Sequence, residues 1–300
     1  MCIRDRYSRI LRKGDQYGVV TGKGYRPTLI EIGGGGRYAW GFIIVYLIAA
    51  KILPLLLIGY TAFIPYLAPP SAKMFSLMTL TPLLEEIDWG LVMRGMTNTF
   101  ILVLTVPLIT LVLAFAISWL IVRSRSNSRY VLEFGAFLPH ALPEIILAIS
   151  ALLLALFFLK DILPLSGSVA RIGIVYVVTR ISFATRAINS ALLQIHKELE
   201  EAAHTAGLSA VRTSWRILVP LLRPTLMSVW IWSAILVYRE LTVAVFLVGH
   251  DNITLPAVIW SYWQGGAINL AAGVTLVMTL MLIPLIFLFW VFGRRSVMQD

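Results

Sequence analysis

Residues 97–123 read TNTFILVLTVPLITLVLAFAISWLIVR, and no charge interrupts the stretch between Asn98 and Arg123. An apolar run of about 18 or more residues reaches across a bilayer core of ~30 Å as a helix. In lipid the backbone has no outside partner, so such a run must bond to itself as a helix. Comparable stretches lie at 39–63, 134–158, 169–193, 222–248 and 269–292. The sequence therefore predicts an all-α polytopic membrane protein with about six transmembrane helices. Hydrophobic residues make up 59% of the 300-residue chain and the mean hydropathy is +0.84. Soluble globular domains hold about 45–50% apolar residues, which sets this chain apart from them.

The charge between the spans orients them. The net charge is +10, and a basic soluble protein would point to nucleic acid. Here the cations lie between apolar spans instead, which points to lipid head groups and topology and not to nucleic acid. Segments 1–38, 123–133, 186–223 and 293–300 hold 18 of the 25 Lys and Arg residues. The opposite loops hold Lys73, Arg94, Lys160 and Arg171, and Lys51, Arg180 and Arg239 fall inside spans. Cytoplasmic loops are the basic ones, so both termini are expected in the cytoplasm, with an even number of spans. The expected layout is a cytoplasmic lead at 1–38, a six-span domain at 39–292 and a cytoplasmic tail at 293–300. Gly33-Gly34-Gly35-Gly36 reads as a flexible joint at the end of the lead. The longest outer loop, Pro65 to Met93, carries Pro69-Pro70 and the acidic Glu85, Glu86 and Asp88.

The loop between the fourth and fifth spans, about 194–221, carries the most information. It contains Glu198-Leu199-Glu200-Glu201-Ala202-Ala203-His204-Thr205-Ala206-Gly207 and runs on to Trp215-Arg216-Ile217-Leu218-Val219-Pro220. Good helix formers predict a helix over 192–206. Gly207 is placed to end it in the left-handed conformation. A second short helix from about Ser209 is expected to stop at Pro220. Leu199, Ala202, Ala203 and Ala206 follow the spacing of one helix face, and small side chains let another surface come close. Glu-Ala-Ala alone is common in helices, and an ordinary surface hairpin is the plain alternative.

With Gly207, Ile217 and Pro220 at these spacings, Glu201-Ala202-Ala203 resembles the EAA loop of binding-protein-dependent ABC importer permeases. The resemblance implies that Glu201, Ala202, Ala203, Gly207, Ile217 and Pro220 form a cytoplasmic coupling helix seated on a partner ABC ATPase. Val219 stands where that family has Leu before the proline. Thr21-Gly22-Lys23-Gly24-Tyr25-Arg26-Pro27, Asn98-Thr99, Tyr238-Arg239-Glu240-Leu241-Thr242, Thr254-Leu255 and Ile259-Trp260 are similar to the second half of ferric-iron permeases. That implies ferric iron as cargo, an extracytoplasmic solute-binding protein, and a second six-span half in the same polypeptide, a homodimer or a sister subunit. It also implies the bacterial inner membrane. Polyamine, thiamine and phosphonate permeases share this organisation. Met1-Cys2-Ile3-Arg4-Asp5-Arg6 does not resemble the start of either half, so a truncated start is expected. The chain departs from the family pattern at Glu144, where Gly tends to follow the proline. It departs again at Arg180-Ile181-Ser182, where proline is common.

Other candidate chemistry is thin. Buried charges cost about 2.5–3.5 kcal/mol each on insertion scales and usually face a bundle interior or water. Arg239 and Glu240 either line a path or lock two helices, and Lys51 and Arg180 snorkel or pair with a partner subunit. His140 and Glu144 have the i, i+4 spacing that can ligate a metal, though Pro143 interrupts it and no third ligand is evident. An intramembrane enzyme built on that pair, or a simple channel, are the readings from other classes. Cys2 is the sole cysteine, which excludes an internal disulfide. Gly18 to Gly24 has the wrong spacing for a phosphate loop and lacks Ser or Thr after Lys23, so no bound cofactor is expected and ATP and Mg belong to the partner ATPase. Trp89, Trp232, Trp260, Trp263 and Trp290 fall near span ends and read as interface anchors.

Overall fold

A computed structural model describes residues 33, 35–124, 127–158, 167–249 and 251–297. The lead up to residue 32, with its Gly18–Gly24 and Thr21–Pro27 segments, lies outside the described residues, as do Gly34, Arg125, Lys160 and the last three residues. So do the side chains of Trp290, Arg294 and Arg295. Every regular element among the described residues is helical.

The chain order begins with α1 (Gly35–Phe63), which includes a π-helical turn at Ile48–Ile52. Next come α2 (Ala72–Ser76), a π turn at Pro82–Glu86, and α3 (Trp89–Arg123). Then follow α4 (Ser128–Ala141), α5 (Glu144–Phe157), α6 (Val169–Gln194) and α7 (Glu198–Thr205). The rest are α8 (Ala210–Tyr238), α9 (Thr242–Leu247), α10 (Leu255–Gln264) and α11 (Ile268–Val297). By length and composition α1, α3 and α8 can each cross a membrane, and α4 with α5 makes a fourth if the bent pair is one span. The long helix α6 carries Arg171, Arg180 and Arg186.

The structure departs from the expected elements at four places. The third span, expected through 134–158, is two helices bent by 104° at Leu142-Pro143. Pro143 has no N–H and disfavours helical backbone at the residue before it, and Leu142 is extended (φ −101°, ψ 137°). The helix expected over 192–206 is interrupted: α6 ends at Gln194, Ile195 is extended, and α7 starts at Glu198. Pro220 does not stop a helix. It lies in the first turn after the π segment Ser214–Leu218, where the Val219 N–H bonds to the Ser214 carbonyl. The wider turn makes room for a ring that has no N–H to give. The fifth span, expected to run to 248, breaks at 239–241, between α8 and α9.

The described residues fall into two units, one of 99–124, 127–158, 167–249, 251–252 and 285–297, the other of 33, 35–98 and 253–284. In the first, Leu102, Val106, Ile172, Tyr176, Val243 and Leu247 share one buried cluster, and Ala114, Ile188, Leu192, Leu218 and Val229 share another. In the second, Ile87, Val92, Leu255, Val258, Leu270 and Val274 form the core. Gly95 permits close packing there, because a Cβ would stand 2.9 Å from Val258 Cγ2 and 3.2 Å from the Leu255 backbone nitrogen. The apolar side chains of α1 are largely exposed, Phe42 to 74%. Such a face is far larger than the apolar patches soluble monomers tolerate.

Candidate functional site

The loop that joins α6 to α8 is built around α7 and its C-terminal cap. The Gly207 N–H donates to the His204 carbonyl (2.9 Å) and the Leu208 N–H to the Ala203 carbonyl (3.0 Å). These two bonds define a Schellman cap, which satisfies carbonyls the helix end would otherwise leave open. Gly207 has φ +85°, and an added Cβ would meet nothing within 4 Å, so backbone conformation alone calls for glycine there. The cap turns the chain sharply into Ser209 and the start of α8.

The faces of α7 differ. Ala203 is buried, whereas Glu201, Ala202, Ala206 and Leu199 are exposed. The expected stripe of Leu199, Ala202, Ala203 and Ala206 is thus divided, with Ala203 turned inward. Of the later loop residues, Ile217 is half-buried and Pro220 exposed, while Trp215 stands 68% exposed. The result is a short helix with small and acidic side chains facing outward.

Glu200 holds the inner side. Its Oε1 lies 2.6 Å from Arg123 Nε, with both side chains mostly buried. Arg123 Nη2 also donates to the Ile195 carbonyl (3.0 Å) and more weakly to Leu192 (3.4 Å). Sequence reasoning missed this pair. Arg123 reads as one more basic loop residue, and Glu200 sits among three glutamates with nothing to single it out.

A second charged group lies in the same unit. Arg180 Nη1 is 3.0 Å from Glu144 Oε1, and Arg180 Nη2 is 2.6 Å from Glu240 Oε2. Glu240 Oε1 accepts from the Thr242 N–H (2.9 Å), and Tyr176 Oη donates to the Glu240 carbonyl. Arg180 therefore pairs within its own chain, which replaces the expectation of snorkelling or a partner subunit. Of the expected pair Arg239 and Glu240, Glu240 is buried in this network and Arg239 is exposed. His140 and Glu144 lie on opposite sides of the 104° bend, so they do not share a helix face. No group of three or more His, Cys, Asp or Glu able to hold a metal occurs among the described residues.

The chain is 27% identical over 205 residues to the ferric transport system permease protein FbpB of Actinobacillus pleuropneumoniae, covering 68% of this chain and 29% of that protein. It is 22% identical to the Fe(3+)-transport system permease protein FbpB 2 of Haemophilus influenzae, over 87% of this chain and 49% of the relative. It is also 27% identical to the putrescine transport system permease protein PotI of Escherichia coli, over 41% of this chain and 44% of that one. The chain thus spans less than half the length of these relatives. Among solved structures, a bacterial alginate ABC transporter in complex with a periplasmic protein carrying an alginate pentasaccharide shares the fold. Its TM-score is 0.67 at 15% identity, over 87% of this chain and 94% of the matched one. These relatives are transport permeases and not enzymes, which removes the intramembrane-enzyme reading. Residues 92–296 match the family described as the binding-protein-dependent transport system inner membrane component, and the chain belongs to that family.

Proposed function

We propose that this chain is the permease subunit of an ABC importer, with the loop at 194–221 as the seat of a cytoplasmic ATPase. The observation that carries the reading is the capped helix α7, which presents Glu201 and Ala202 outward, with Ala206 exposed at its C-cap, and turns at Gly207. A helix with small exposed side chains fits closely into a cleft on a second protein, and its acidic residues suit a basic rim. Ile217 and Pro220 lie within the long helix α8, which starts at Ala210 just after the cap. Displacement of the loop is therefore carried into that helix.

The broader reading has six spans with both termini cytoplasmic, as the basic loops favour. A lead at 1–38, a permease domain at 39–292 and a tail at 293–300 complete it. The partners are an ATPase that holds ATP and Mg, an outer solute-binding protein, and a second six-span half. Ferric iron is the proposed cargo, supported by the two ferric relatives. The putrescine relative supports a polyamine as the second reading.

The test is transport in proteoliposomes holding the permease with its ATPase. Glu201→Lys should abolish co-purification of the ATPase and ATP-driven uptake while membrane insertion persists. Unchanged uptake and co-purification would sink the coupling assignment. Uptake of radiolabelled ferric iron against radiolabelled putrescine, each with its receptor, decides the cargo.

A further inference from the structure

We infer that Arg123 is a positioning residue that fixes the rotation of α7, and so determines which of its faces meets a partner. The inference rests on the coupling reading above only for what the exposed face does, since the geometry stands apart from it.

An eight-residue helix is marginal alone, because nucleation costs more than so few hydrogen bonds return. Its register against the rest of the chain needs an external tether. Arg123 is the last residue of α3, and its guanidinium ties that helix to two others. Nε meets Glu200 on α7, and Nη2 meets carbonyls at the end of α6 and just beyond it. The last carbonyls of a helix lack intrahelical partners and favour a cation. Arginine suits this place because its fixed fork serves a carboxylate and carbonyls at the same time.

The tether accounts for the faces. With Glu200 held inward, the adjacent Ala203 is buried and Glu201 and Ala202 face out. Freed from Arg123, α7 rolls and the contrast between Ala202 and Ala203 fades. The same guanidinium links any movement of α7 to the ends of α3 and α6.

The contrast can be read without any partner protein. Cys2 is the sole cysteine, so Cys2→Ser gives a clean background for Ala202→Cys and Ala203→Cys in the detergent-solubilised full chain. A maleimide should label position 202 at least about tenfold faster than 203, because a buried site reacts only through a minor open population. Arg123→Gln should bring the two rates close together, and Arg123→Lys should restore part of the difference. Glu200→Ala removes the same link without touching a long helix and should give the same collapse. A charge swap of Arg123 and Glu200 should not rescue, because it sets a carboxylate against the carbonyls of Leu192 and Ile195. An undiminished ratio in both Arg123→Gln and Glu200→Ala overturns the inference. Glu201→Lys separates the two readings: if it leaves ATPase co-purification intact, the coupling reading fails while the labelling contrast still decides the tether.

Discussion

Arg180 Nη1 stands 3.0 Å from Glu144 Oε1, which joins the two positions where the sequence departs from the pattern of the permeases it resembles. Each departure alone places a charge deep in an apolar region. Together, with Glu240, they satisfy one another. Arg180 lies on the continuous helix α6, while Glu144 follows the break at Pro143 and Glu240 lies in the break between α8 and α9. One guanidinium thus holds two interrupted segments against an uninterrupted one.

Removing Arg180 should therefore be costly, because it leaves two carboxylates facing each other without a cation. Breaking a buried pair by deleting one partner typically costs about 3–5 kcal/mol. Arg180→Met should lower the unfolding midpoint in detergent clearly, and adding Glu240→Gln should recover a large part of the loss. Glu144 is the most exposed of the three side chains at 38%, so Glu144→Gln should have the smallest effect. A midpoint for Arg180→Met equal to that of the parent would show that the network is not structural.

The cap at Gly207 makes a separate prediction. At φ +85° an L side chain is strained by about 1–2 kcal/mol, and open space around the position removes any clash as a competing cause. Gly207→Ala should speed hydrogen exchange at the amides of Gly207 and Leu208, which make the two capping bonds. Coupled transport should fall while insertion stays normal. Gly207→Asn should lie between the two, since Asn tolerates this region better than Ala. Equal exchange in all three would rule out the cap as the source of the loop's shape.

Much of this was legible in the sequence and some was not. Long uncharged runs such as 99–122 can only be helices in lipid, so helix existence followed directly. The left-handed turn at Gly207 was legible because glycine after a run of helix formers has few other uses. Breaks were harder. A proline marks a place where the α pattern is disturbed without saying how: Pro143 bends its span, whereas Pro220 is absorbed by a widened turn. Charge partners were hidden for a different reason. Glu144, Arg180 and Glu240 are far apart in sequence, and opposite signs at membrane depth suggest pairing without naming the pairs.

The bend at Pro143 should depend on that residue. Pro143→Ala restores an N–H and lifts the restriction on Leu142, so α4 and α5 should move toward one continuous helix. Spin labels at Phe134 and Leu154, both exposed, report this directly. The distance between them should increase, and its distribution should broaden. An unchanged distance would mean that tertiary contacts, including the Glu144–Arg180 pair, hold the bend without help from the proline.

Gly95 gives the last prediction, in the other unit. A methyl group there would come within 2.9 Å of Val258 Cγ2 and 3.2 Å of the Leu255 nitrogen, the second of which is backbone and cannot rotate away. Overpacking of this kind costs about 1–3 kcal/mol. Gly95→Ala should lower the unfolding midpoint, and Gly95→Val should lower it further. Val258→Ala removes the nearer contact, so in the Gly95→Ala background it should cost less than it does alone. The backbone contact to Leu255 remains in the double variant, which should keep recovery partial. Full recovery would instead identify the Val258 side chain as the sole obstacle, and strictly additive losses would mean that residues 95 and 258 do not press on each other at all.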